Sequence, residues 1–224
     1  MTIDQKFLQN TFLFIHIPKT AGTSFRCEIE KKLKCVFEYG ANPLTSDFVH
    51  KTIDKGDFSS FLQKFKSQGF EAVYGHFSIS KYLPIIDKNT RICTFFRHPV
   101  QRTISNYQHF CRHYGYNKCI REFLSNPQFH NQQYKLLLGI DIKDFYFLGI
   151  TEDYQNSIKI FNQLTNLNVS DIVINNNPAK PIYESYKLDS DLIEFIENKN
   201  QQDLELYERA KSIFATRVQE LKNR

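Results

Sequence analysis

Two short stretches of this chain carry the residue types from which an anion-binding site is built. In the first, the apolar run Phe12–Ile17 is followed by Pro18, Lys19, Thr20, Ala21, Gly22, Thr23 and Ser24, and then by Phe25, Ile29 and Leu33 at four-residue spacing. A strand, a tight turn and the start of a helix in that order present backbone N–H groups and the positive helix end to an anion. Lys19 adds a full charge there, and Thr20, Thr23 and Ser24 add hydroxyl donors. In the second stretch, the run Arg91–Phe96 leads straight into Arg97, His98 and Pro99, and proline suits the first position of a helix. A guanidinium at the carboxyl end of a strand can grip a phosphate bidentately.

The first stretch is related in physics to the nucleotide-binding P-loop but departs from its pattern. Its single glycine is Gly22, and the lysine precedes that glycine instead of following a second one. Phosphate-transferring P-loop enzymes also need magnesium held partly by an acid at the end of a neighbouring strand. Arg97 stands at that place, and an arginine repels a metal and invites another phosphate. The two stretches together predict a doubly phosphorylated nucleotide held by protein cations in place of metal, and they disfavour a P-loop kinase.

The elements that must position these residues alternate between strand and helix. Strands are expected at Phe12–Ile17, Glu71–Tyr74, Arg91–Phe96, Phe145–Leu148 and Asp171–Ile174. Helices are expected at Thr23–Lys34, Ser59–Ser67, Pro99–His113, Asn131–Leu138 and Gln201–Leu221, with a further one capped by Thr151 and running to Asn162. On the helix from Pro99, Val100, Ile104, Tyr107 and Cys111 make the apolar face, and Arg102 and Ser105 fall off it. The alternation predicts an α/β, P-loop-like three-layer fold with a central parallel sheet flanked by helices, its ligand beyond the carboxyl ends of the strands. With no repeat, linker or break in composition, one domain spanning residues 1–224 is expected.

Composition sets the limits. The 224 residues are 41% hydrophobic and 15% aromatic, which supports a buried core and excludes disordered and fibrous classes. The charge of +5, from 29 basic and 24 acidic residues, suits an anionic small ligand; without any nucleic-acid-binding signature, no nucleic-acid partner is expected. No apolar run approaches the roughly 18 residues that cross a bilayer, and the N-terminus has no signal-peptide pattern. Five cysteines without a C-x-x-C pair read as reduced thiols, so a cytoplasmic location without a transmembrane segment is expected.

At this point the residues resemble a known family. FIHIPKTAGTSF is similar to the 5′-phosphosulfate-binding loop of sulfotransferases, and FFRHPVQRTISNY to their 3′-phosphate-binding strand and helix, with Arg97 and Ser105 at the family's spacing. The group most resembled is the bacterial and Golgi-type carbohydrate sulfotransferases related to heparan sulfate 2-O-sulfotransferase. YGHFSI, HNQQYKLLLG, FLGITEDYQNSIKIF and NNNPAKPIYESY resemble later family segments in the right order. The resemblance implies the cofactor 3′-phosphoadenosine 5′-phosphosulfate (PAPS), the product 3′,5′-ADP, a hydroxyl acceptor on a sugar or glycan, and no metal. A non-catalytic module that binds 3′-phosphorylated adenine nucleotides is the alternative.

Sulfuryl transfer needs a cation at the departing oxygen and a base at the entering one. Lys19 fits the first role, and Arg97 and Ser105 fit recognition of the 3′-phosphate. For the base, His76 follows a strand, has an ordinary pKa near 6.5 and matches a histidine of the family's corresponding segment. Glu38 is the competing base, since other sulfotransferase branches place a glutamate in that region. Lys180 is expected to cover the adenosine end, as a basic loop does in related enzymes. Glu152 and Asp153 read as first-turn acids, and His16 as a structural residue of a buried strand. Acceptor selection falls to the loops Tyr39–Asp57 and Gly115–Asn131, which carry no readable code.

Overall fold

A computed structural model describes residues 7–171, 186 and 188–223. Lys180 and residues 172–174 of the expected fifth strand lie outside them. Five strands form the sheet: β1 (Phe12–Ile15), β2 (Cys35–Glu38), β3 (Ala72–Gly75), β4 (Arg91–Phe96) and β5 (Phe147–Ile150). Their order is β2-β3-β1-β4-β5, and every pair is parallel. All four residues of β1, β3 and β5 are buried, as both faces of the sheet are covered. The α/β architecture with a helix-flanked parallel sheet is therefore present.

The helices are α1 (Gly22–Ile29), α2 (Asp47–Lys51), α3 (Phe58–Ser67), α4 (Pro99–Tyr114), α5 (Ile120–Phe123), α6 (Gln132–Leu137), α7 (Tyr154–Thr165), α8 (Ser190–Asn198) and α9 (Gln201–Lys222). Phe25 of α1 anchors the core, its ring 5.6 Å from Phe14, 5.0 Å from Phe95 and 4.9 Å from Phe161. A second apolar cluster, with Val100, Ile104, Phe123, Phe129 and Ile196, joins α4 to α5 and α8. No described helix is long and apolar enough to cross a membrane, and all five cysteines are free.

Chain order explains where a ligand belongs. After β1 the chain runs to β2 and β3 on one side, then crosses to β4 and β5 on the other. The loops leaving β1 and β4 thus diverge between adjacent strands, which is the switch point where open α/β sheets bind ligands.

Several expectations differ from what folds. Cys35–Glu38 forms an edge strand absent from the expected set, and β5 begins two residues later than the apolar run suggested. Thr151 does not cap α7: its hydroxyl donates to the Phe96 carbonyl at 2.9 Å, tying β4 to β5. Glu152 and Asp153 do stand in a first turn, that of the short 3-10 helix Thr151–Asp153, and Glu152 has a further role. It accepts from the His98 N–H at 2.9 Å and from the Tyr207 hydroxyl at 3.2 Å, and so anchors the start of α4.

Arg102 and Ser105 lie off the apolar face of α4 yet are buried, at 0% and 7% exposure, because α4 is covered on its polar side too. There Arg102 faces Asp203 of α9 at 3.9 Å and donates to Gln132 at 2.5 Å. Asp203 in turn accepts from the Gln133 and Tyr134 N–H groups at 3.3 and 2.8 Å. This buried polar layer fixes α6 against α4 and α9.

Candidate active site

The loop after β1 is shaped by two non-glycine residues in the left-handed region, Lys19 at φ 73° and Ala21 at φ 68°. Such turns direct successive backbone N–H groups into one concavity. Ala21 is also the N-cap of α1, no side chain caps that helix, and its first turn carries no acid. Such a helix start favours an anion. Thr20 is used internally, its hydroxyl donating to the Ile17 carbonyl at 2.8 Å, so it braces the turn. Thr23 is exposed, while Ser24 is buried.

Gly22 is required by close approach. A Cβ there would come within 1.9 Å of His16 Cδ2 and 2.1 Å of its Nε2. Gly22→Ala is expected to cost about 1–3 kcal/mol through overpacking. Chemical denaturation measures it, and an unchanged midpoint would show that the His16 ring has another place to go.

Arg97 emerges from β4 beside this loop and is 5% exposed. Its Nη1 donates to the Lys19 carbonyl at 3.2 Å. Gln133 pins the Arg97 backbone from both sides, accepting from its N–H at 3.1 Å and donating to its carbonyl at 3.0 Å. Two residues later Pro99 starts α4, and Ser105 follows on the buried part of that helix.

Later turns of α4 bear on the loop electrostatically. Burial, then Arg112 and Arg97, pull the Lys19 ammonium down to about 8. Burial, then Lys19, His113 and Arg112, pull His109 down to about 4. Among the described residues no carboxylate pairs with Lys19, so the neighbouring cations disfavour its charged form. His109 and Arg112 escaped the sequence reading. Their signal was spacing: Ser105, His109 and Arg112 recur at four and three residues, one face of a helix.

His76 lies one residue past β3. The residue is exposed, and its ring packs against those of His16 and Tyr39. Burial, then Arg26, Lys19 and His109, push it down to about 4, so it is neutral at physiological pH. No side-chain hydrogen bond to its ring occurs among the described residues, which leaves both nitrogens for a ligand. Glu38, at the end of β2, is 3% exposed. Its carboxylate is engaged by Lys81 and by the buried Tyr82 hydroxyl, with Lys81 also 2.5 Å from Asp54.

No family model and no curated protein sequence matches the chain. Among solved structures it is similar to a sulfotransferase from Alicyclobacillus acidocaldarius, with a TM-score of 0.51 and 14% identity over 92% of this chain and 96% of that one. The two share a fold. The structure of mouse sulfotransferase SULT7A1 complexed with PAP also aligns, over 89% of this chain and 68% of that one, at a TM-score of 0.46 and 11% identity.

Lys19, Arg97 and His76 follow the carboxyl ends of β1, β4 and β3, with Arg97 in contact with the Lys19 carbonyl, and Ser105 lies buried about two turns into α4. Glu38 ends the neighbouring edge strand but points its carboxylate into a closed ion-pair cluster.

Proposed function

We propose that this chain is a PAPS-dependent sulfotransferase that moves a sulfuryl group onto a hydroxyl of a sugar or glycan without a metal. The observation that carries the reading is the meeting of two cationic loops from adjacent strands: Arg97 and Lys19, 78 residues apart in sequence, touch at 3.2 Å. One nucleotide with phosphate on both sides of its ribose would engage both. The fit is supported by the uncapped start of α1, by the N–H concavity at Lys19 and Ala21, and by the mutual repulsion of Lys19, Arg97 and Arg112. The likeness in fold to a sulfotransferase agrees with it.

Bound PAPS supplies an activated sulfuryl group on an adenosine bisphosphate leaving group. The backbone N–H groups of Pro18–Ser24 other than proline's, with Lys19, would hold its 5′ end, and Arg97 and Ser105 its 3′-phosphate. Lys19 stabilises the charge that grows on the departing oxygen. His76, neutral and open to solvent, accepts the proton of the acceptor hydroxyl. We prefer it to Glu38, whose carboxylate is already engaged. Arg97 at the end of β4 takes the place where a magnesium-binding acid would stand. Lys180 is proposed to cover the adenosine.

Thermal stability tests the nucleotide. At 100 times its dissociation constant, 3′,5′-ADP is expected to add about 2.7 kcal/mol, and 5′-ADP or ATP with magnesium less at the same concentration. Equal stabilisation by all three would overturn the reading. If 3′,5′-ADP alone stabilises but no labelled sulfate passes from PAPS to any of a broad glycan panel, the chain is a nucleotide-binding module without catalysis.

A further inference from the structure

Three parallel strands end in register, and the residue just past each end carries a ring. Ile15, Gly75 and Glu38 are aligned across β1, β3 and β2, and the next residues are His16, His76 and Tyr39. Sheet hydrogen bonding continues one step through them: the His16 N–H donates to the Gly75 carbonyl at 2.7 Å, and the His76 N–H to the Glu38 carbonyl at 2.8 Å. His76 comes from the middle strand and meets a ring from each neighbour. The centroids lie 4.4 Å apart for His16 with His76 and 4.7 Å for Tyr39 with His76, at interplanar angles of 60° and 72°. Such edge-to-face contacts have preferred directions and resist rotation of the middle ring.

His16 is tied on two further sides. Its Nδ1 hydrogen-bonds the Tyr39 hydroxyl at 3.3 Å, and its Cδ2 and Nε2 fill the space that a Cβ on Gly22 would need. One ring therefore touches both the Gly22 turn and the His76 ring. A histidine is commonly aimed by a hydrogen bond to its second nitrogen. His76 has no such side-chain partner among the described residues, so packing has to aim it.

We propose that His16, braced by the Tyr39 hydroxyl, is a positioning residue for His76: it sets the plane of that ring, and hence the direction of the nitrogen that meets the acceptor, relative to the Gly22 turn. The proposal rests on the reading of His76 as the base. The charged and titratable groups facing the pair are Arg26 from α1, Lys19 from the loop and His109 from α4, with Tyr39 and Tyr74 beside His16.

Three variants test it: Tyr39→Phe, which removes only the hydroxyl; His16→Asn, which removes the ring; and His16→Phe, which restores a ring. His16→Asn is expected to lower kcat about 10²-fold, the cost of a misplaced reacting group, with KM for PAPS unchanged. Tyr39→Phe lowers kcat less, and His16→Phe recovers part of the loss. A second readout needs no turnover. In the NMR titration of nucleotide-free protein, the His76 midpoint rises from about 4 toward its ordinary 6.5 in His16→Asn, because water replaces the ring that shields it.

An unchanged kcat, or a raised KM for PAPS at full kcat, would make His16 only a scaffold of the loop and overturn the proposal, as would an unmoved His76 midpoint. If the wild type sulfates no acceptor, or His76→Ala keeps full turnover, the base assignment fails, while the titration still decides whether the His16 ring packs against and shields that of His76. Should His16→Asn not fold, Tyr39→Phe carries both readouts.

Discussion

Replacing His76 with alanine lowers kcat about 10²- to 10⁴-fold, the range for loss of a general base, and leaves the affinity for 3′,5′-ADP unchanged. The separation follows from position: His76 follows β3, whereas the nucleotide cradle is made by the loops after β1 and β4. Glu38→Gln has the opposite signature. It disturbs a buried carboxylate held by Lys81 and Tyr82, so it lowers the melting temperature and spares turnover in the folded protein. Loss of turnover in folded Glu38→Gln with activity kept in His76→Ala would reverse the assignment of the base. The pH profile gives an independent check. The neutral imidazole is the active form and its pKa is depressed to about 4, so kcat/KM rises with pH up to that midpoint, is level from there to about 8, and falls above it as Lys19 loses its proton. An acid limb centred near 6.5 would mean that the rings and cations beside His76 do not depress its pKa.

That His76 stands out in the sequence while its supports do not has a physical cause. PKTAGTS and RHP are local: each needs only a strand before it and a helix after it, and both declare themselves by apolar runs, a glycine and a proline. The sheet register that brings His16, His76 and Tyr39 to one level is non-local. It also depends on β2, whose CVFE is too short and too mixed to show an alternation. Glu38 is polar in the sequence but 3% exposed, because partners from the Ile79–Lys81 turn and beyond fold over it. Arg102 likewise scored as off the apolar face of α4, and only the docking of α6 and α9 makes its surroundings an interior. The offset at β5 arises because Phe145 through Ile150 is almost uniformly apolar, so nothing in that run marks which residues the sheet takes up. What could be read, then, were the elements and the two loops; what could not was the set of contacts between them.

The nucleotide cradle carries the other large expected effect. Lys19→Ala lowers kcat by about 10²–10³-fold, as loss of a preorganised donor to the developing oxyanion does. The same residue gives the binding step a pH dependence with a definite sign. In the free protein Lys19 titrates at about 8, pulled down by burial and by Arg112 and Arg97. A multiply charged anion placed among these cations favours the protonated form, so it raises that pKa. Below about pH 8 the ammonium is already charged and affinity for 3′,5′-ADP is level. Above it, binding must take up a proton, and affinity falls by up to about tenfold per pH unit until the bound-state pKa is reached. Isothermal titration from about pH 7 to 10 in wild type and Lys19→Met separates this from titration elsewhere, since the methionine variant should bind more weakly and lose the slope. Arg112→Ala removes one of the repelling charges, which lifts the free pKa of Lys19 and moves the onset of the decline to higher pH. A slope that persists in Lys19→Met, or an onset indifferent to Arg112, would place the titrating group outside the cradle and with it the anion.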